Sequence, residues 1–91
     1  MLYKIRYTPE ASIDLAKLQK YEPMAFAKAL RFIDELKSHP RSDTGHPEQL
    51  SGERAGQWSR LITKKHRLVY EIRDTEVIVL MLTAYGHYDD K

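Results

Sequence analysis

Glu48, Arg67 and the neighbouring pair His87–Tyr88 are the side chains of this 91-residue chain that together can do chemistry. A carboxylate accepts a proton, a guanidinium holds a phosphate or a developing negative charge, and an imidazole gives a proton to a leaving group. Placed around one anionic centre, they supply what RNA cleavage needs. A base takes the ribose 2′-hydroxyl proton, a cation steadies the phosphorane, and an acid protonates the departing 5′-oxygen. That scheme needs no metal. Each residue also has a plainer role: a glutamate in a polar loop is commonly just solvated, a strand arginine snorkels or pairs, and a histidine near a terminus is commonly idle. The residue types alone leave both readings open.

Other templates are absent from the sequence: there is no GxGxxG, P-loop, HExxH or GxSxG. His39, His46, His66 and His87 fall at no short ligand spacing, so neither a metal nor another cofactor is expected. Cysteine is missing altogether, which rules out a disulfide framework and makes a reducing cytoplasm the expected location. No apolar run approaches the ~18 residues of a membrane span, and MLYKIRYTPEA lacks the apolar centre of a secretion signal. Net charge is only +2, yet Arg54, Arg60, Lys64, Lys65, Arg67 and Arg73 crowd residues 54–73 against one acid, Glu71. Such a stretch suits a polyanion, nucleic acid first, and equally suits a solvated hairpin tip.

The elements must bring Glu48, Arg67 and His87 together. Residues 1–91 are expected to form one domain. Residues 2–7 alternate as a half-buried strand with Tyr3, Ile5 and Tyr7 on one face. Thr8-Pro9-Glu10 reads as a helix start, with Ala11, Leu15 and Leu18 as its apolar stripe and Glu22-Pro23 as its end. A second helix is expected to line its inner face with Phe26, Leu30, Ile33 and Leu36 or Lys37, and to stop at His39-Pro40. A polar connector follows over residues 41–57. Strands are then predicted at 58–63, 66–73 and 76–85, with turns at Lys64-Lys65 and near Asp74-Thr75. The order β-α-α-β-β-β implies an α+β fold, a small antiparallel sheet with a helical hairpin on one face and the greasy last strand at its centre.

A two-residue turn at Lys64-Lys65 would set Arg60 opposite Val69 and Ile62 opposite Arg67, with both arginines on one face. The last strand, antiparallel to its predecessor, would deliver His87 near Arg67. The connector would fold Glu48 over the same face.

With these residues in view, the chain resembles the YoeB-type branch of the RelE toxin superfamily, messenger-RNA endonucleases of bacterial type II toxin–antitoxin systems. The resemblance rests on GHPEQL at 45–50, WSRLITKKHRLVYEI at 58–72 and YGHYDDK at 85–91, in that order and spacing. It implies the fold deduced above. It also implies that Glu48 is the general base, Arg67 the phosphate and transition-state stabiliser and His87 the general acid, with Tyr88 orienting the nucleotide or assisting proton transfer. Members of the family cleave messenger RNA in the ribosomal A site after docking on the small subunit. That makes Arg54, Arg60, Lys64, Lys65 and Arg73 the expected RNA- and ribosome-binding side chains. The implied partner is a YefM-type antitoxin. Operator DNA would be reached only through the antitoxin complex, and homodimers are known in the branch; no membrane is involved.

Two positions depart from the family pattern. Relatives commonly carry arginine where this chain has Leu61 and lysine where it has Ser51. Each change removes positive charge near the expected phosphate site. One lost charge-assisted contact costs about 1.5–3 kcal/mol, roughly tenfold to a hundredfold in rate when the contact acts in the transition state. Two competing readings therefore stand beside the nuclease: a weakened antitoxin-binding co-repressor, and a ParE-like toxin acting by protein interaction.

Overall fold

The computed structural model describes residues 2–42 and 47–86. Strand β1 (Lys4–Tyr7) leads into helix α1 (Pro9–Tyr21), then α2 (Pro23–Leu36). Strand β2 (Glu48–Gln49) and a single 3-10 turn (Gly52–Arg54) lie within the connector. Strands β3 (Gln57–Leu61), β4 (Arg67–Arg73) and β5 (Ile78–Thr83) complete the order. The five strands form one sheet in the order β1-β5-β4-β3-β2.

Local chemistry accounts for the helical hairpin. Thr8 caps α1: its hydroxyl accepts from the Ala11 amide at 3.0 Å and donates to the Leu82 carbonyl at 3.0 Å, tying the helix start to β5. Pro9 and Pro23 each occupy a first helical turn, where the missing amide hydrogen costs nothing. Glu22 alone separates the helices; ahead of proline it leaves the helical region, with φ −142° and ψ 71°. That sharp joint directs the Glu22 side chain toward the sheet.

The core lies between the two helices and one sheet face. Leu18, Ala29, Phe32 and Leu36 pack there against Ile62, Leu68, Tyr70, Val79 and Met81. Leu15 packs at the edge of this core, while Leu30 points outward, 47% exposed. The inner stripe of α2 runs instead through Ala25, Ala29, Phe32, Ile33 and Leu36, rotated from the expected one. Small alanines let the helix approach closely, which periodicity of large residues alone does not reveal.

The expected α+β architecture is present, with three differences of detail. First, β1 runs parallel to β5, pairing Ile5 with Val79 and Tyr7 with Met81, so the sheet is mixed rather than antiparallel. The strand entered after the helices, β2, runs opposite to β1, and the three antiparallel steps through β3 and β4 bring β5 parallel to it. Second, the connector is not wholly irregular, because β2 adds a short antiparallel edge to β3. Third, the β3–β4 register is shifted by one residue: Arg60 pairs with Leu68 and Leu61 with Arg67. Ile62 and His66 bond across a loop of Thr63, Lys64 and Lys65, and the Thr63 hydroxyl accepts from the Lys65 and His66 amides. A three-residue turn replaces the expected two-residue one, and each later side chain changes face. Arg60 and Arg67 therefore lie on opposite faces of the sheet.

Candidate active site

Strands β2, β3 and β4 position the candidate groups on the sheet face away from the helices. Glu48 pairs with Ser59, and Ser59 with Val69, so this row crosses three strands. Arg67 lies two residues before Val69 and shares its face. Its Nη1 donates to the Ser59 Oγ at 3.2 Å and stands 3.9 Å from the Glu48 Oε1. Ser59 is completely buried, forming a fixed floor beneath the guanidinium. The Glu48 side chain is 60% exposed and that of Arg67 only 23%. A charge pair at 3.9 Å with one partner in water is weak, and an incoming anion can part it at little cost.

A β-bulge between β4 and β5 lets Val69 pair with Thr83 while Tyr70 pairs with Met81. Beyond it, the chain is held residue by residue. The Ala84 amide donates to the buried Asp14 Oδ2 at 3.0 Å, and the Arg67 amide donates to the Gly86 carbonyl at 2.9 Å. The chain before His87 thus runs alongside Arg67. His87 and Tyr88 themselves lie outside the described residues.

The basic side chains do not form one surface. Arg60 is completely buried on the helix side. It donates to the Glu35 carboxylate at 2.9 Å, to the Tyr70 hydroxyl at 3.2 Å, and to the carbonyls of His39 and Ser42. The expectation that Arg60 meets RNA is corrected: the register shift turns it inward, where it clamps α2, β4 and the connector. Burial raises the pKa of Tyr70, opposed by the neighbouring Arg60 guanidinium, and its hydroxyl donates to the Pro40 carbonyl at 2.9 Å. Lys64 and Lys65 are exposed on the hairpin loop next to Arg67. Arg54 is half-buried and donates to Gln57, 3.0 Å away. Arg73 binds Glu71 at the far end of β4, about 20 Å along the strand from Arg67.

Sequence reasoning missed Ser59, Glu22 and His66. Serine in a WSR run shows nothing until its pairing with Glu48 is known. Glu22 and His66 are 44 residues apart, yet the His66 Nε2 and Glu22 Oε2 are separated by 2.5 Å. The His66 contact, ahead of that of Lys65, lowers the pKa of the Glu22 carboxyl. Among the described residues, no group of His, Asp and Glu is placed to hold a metal ion, and no helix is long and apolar enough to cross a membrane.

This arrangement can be set beside known proteins. Residues 7–88 match the family described as the YoeB-like toxin of bacterial type II toxin–antitoxin systems. The chain belongs to that family. Toxin YoeB of Mycobacterium bovis is 38% identical over 84 residues, covering 92% of this chain and 96% of that one. Among solved structures, the YoeB/ParE toxin from Agrobacterium tumefaciens superposes with a TM-score of 0.87 at 30% identity, covering 93% of this chain and 99% of the other. The toxin in the YoeB–YefM complex from Staphylococcus aureus superposes with a TM-score of 0.81 at 25% identity, over 97% of this chain and 100% of that one. The chain is thus a type II toxin with the YoeB/RelE-like fold, two helices on a mixed five-stranded sheet.

Proposed function

We propose that this YoeB-like toxin is an endoribonuclease that cleaves messenger RNA in the ribosomal A site. The observation that carries the reading is the Glu48 carboxylate facing the Arg67 guanidinium across 3.9 Å on the open sheet face, with Gly86, the residue joined to His87, bonded to the Arg67 backbone. Glu48 accepts the 2′-hydroxyl proton. The 2′-oxygen attacks phosphorus as Arg67, steadied by Ser59, neutralises the phosphorane. His87 protonates the 5′-oxygen as its bond to phosphorus breaks, and Tyr88 orients the nucleotide. The products are a 2′,3′-cyclic phosphate and a free 5′-hydroxyl, reached without a metal or other cofactor. Lys64 and Lys65, exposed beside the site, contact the ribosome or the RNA backbone. A YefM-type antitoxin is the proposed partner, by analogy with the Staphylococcus aureus complex.

Leu61 favours a second reading. It faces Arg67 across the ladder and supplies no charge where one would meet the phosphate. A chain weakened there would serve mainly as an antitoxin-binding co-repressor.

End-group analysis of messenger RNA cleaved on programmed ribosomes tests the chemistry. A 2′,3′-cyclic or 3′-phosphate with a 5′-hydroxyl is expected. A 5′-phosphate would contradict the mechanism, and intact messenger RNA in the presence of folded protein would move the assignment to the co-repressor.

A further inference from the structure

The imidazole of His66 is buried, with its residue only 1% exposed, yet the catalytic scheme gives it no part. Both ring nitrogens are engaged. The Gly86 amide donates to Nδ1 at 2.8 Å, and Nε2 faces the Glu22 carboxylate at 2.5 Å. An amide hydrogen can be accepted only by a nitrogen lone pair, so Nδ1 carries no proton. A neutral ring then carries its hydrogen on Nε2, directed at Glu22, and the carboxylate selects that tautomer. The ring is further held by Tyr85, whose centroid lies 4.4 Å away at an interplanar angle of 47°. Lys17 sits over the Tyr85 ring, 5.2 Å from its centroid, and the Lys65 Nζ approaches Glu22 to 3.8 Å.

We propose that His66 is a positioning residue for the cleavage reaction: oriented by Glu22, its Nδ1 anchors the Gly86 amide and so fixes the point from which His87 enters the site. The inference rests on the reading of His87 as general acid. Gly86 is held on both sides, its amide by the His66 ring and its carbonyl by the Arg67 amide. The two peptide groups that flank Gly86 are thereby fixed to the loop end of β4, whose next side chain is the proposed phosphate-binding arginine. An acid must lie within hydrogen-bond reach of the leaving oxygen, and small displacements lose much of its effect. Glycine at 86, with φ +75°, also allows a left-handed bend that other residues adopt only with strain.

Two amide substitutions separate the anchor from the Glu22 contact. Asparagine places its oxygen near the position of Nδ1 and can still accept from Gly86; glutamine reaches the position of Nε2 and can still donate to Glu22. His66→Asn, His66→Gln and His87→Ala are compared with the unmodified protein in single-turnover cleavage on programmed ribosomes, alongside hydrogen exchange of the Gly86 amide and thermal unfolding. For His66→Gln the expected result is a roughly tenfold slower maximal rate, an unchanged half-saturating concentration and a Gly86 amide that exchanges faster. His66→Asn is expected to keep the amide protected and the rate within about threefold of the unmodified protein. Equal impairment of the two variants, or full activity and a protected Gly86 amide in His66→Gln, would overturn the proposal. Full activity of His87→Ala would instead overturn the acid assignment, and with it the catalytic part of this inference. The Gly86 exchange comparison would still decide whether His66 is the anchor.

Discussion

Leu61 stands directly opposite Arg67 on the β3–β4 ladder, with both side chains on the sheet face that carries Glu48 and Ser59. Cross-strand partners lie about 4.5–5.5 Å apart at Cβ, close enough for two long cations to share one phosphate. Leu61→Arg is therefore expected to speed single-turnover cleavage by about tenfold, since a charge-assisted contact contributes about 1.5–3 kcal/mol. Because the added group meets the phosphorane, the gain should appear in the maximal rate. An unchanged rate with tighter RNA binding would show that position 61 serves docking instead.

Arg60 has the opposite character. Its guanidinium is completely buried among Glu35, Tyr70 and the carbonyls of His39 and Ser42, so removing it strands several acceptors at once. Breaking a buried charge pair costs about 3–5 kcal/mol, which corresponds to roughly 12–40 °C in melting temperature for a domain of this size. Arg60→Met should show a drop of that order by calorimetry. An unchanged melting temperature, together with weaker ribosome binding, would return Arg60 to the nucleic-acid surface.

Glu22 gives the protein a pH signature. Contact with His66 lowers the pKa of its carboxyl in the folded state, so folding favours the ionised form. A depressed carboxyl contributes stability above its unfolded pKa, ~4.3 for glutamate, and loses that contribution as pH falls through the folded value. The unmodified protein should therefore be more stable than Glu22→Gln at neutral pH, with the gap in urea midpoint narrowing progressively below pH ~4.3. Asp74, held down by Arg41 and then by the Tyr3 hydroxyl, behaves the same way and is common to both proteins. A gap independent of pH down to the acid transition would contradict the assignment.

Much of the fold was legible because it is set by local chemistry. Thr8-Pro9 starts α1, Glu22-Pro23 separates the helices, and Ile78–Thr83 lies inside the sheet as its apolar run implies, though between β1 and β4 rather than at the centre, which β4 occupies. What mattered most to the site, the β3–β4 register, turns on the loop around the Thr63 hydroxyl. The turn is one residue longer than expected, with the Thr63 hydroxyl accepting from the Lys65 and His66 amides. The shifted register sends Arg60 into the core and leaves Leu61 beside Arg67. Periodicity does not resolve a one-residue shift when residues on either side of the turn are polar.

The candidate site divides along the same line. Motif resemblance identified Glu48 and Arg67, and the sheet brings them to within 3.9 Å of each other. The contacts of Ser59 with Arg67 and of Glu22 with His66 are tertiary, spanning 8 and 44 residues, and neither side chain lies in a pattern that marks it.

Single-turnover cleavage of a defined messenger RNA on programmed ribosomes, comparing the unmodified protein with Glu48→Gln, tests the central claim most directly. Glutamine preserves the shape and one acceptor oxygen while removing the charge and the base. The rate should fall by about a hundredfold or more, with the melting temperature and the half-saturating concentration nearly unchanged. Cleavage by Glu48→Gln at the unmodified rate would show that the carboxylate facing Arg67 is not the base.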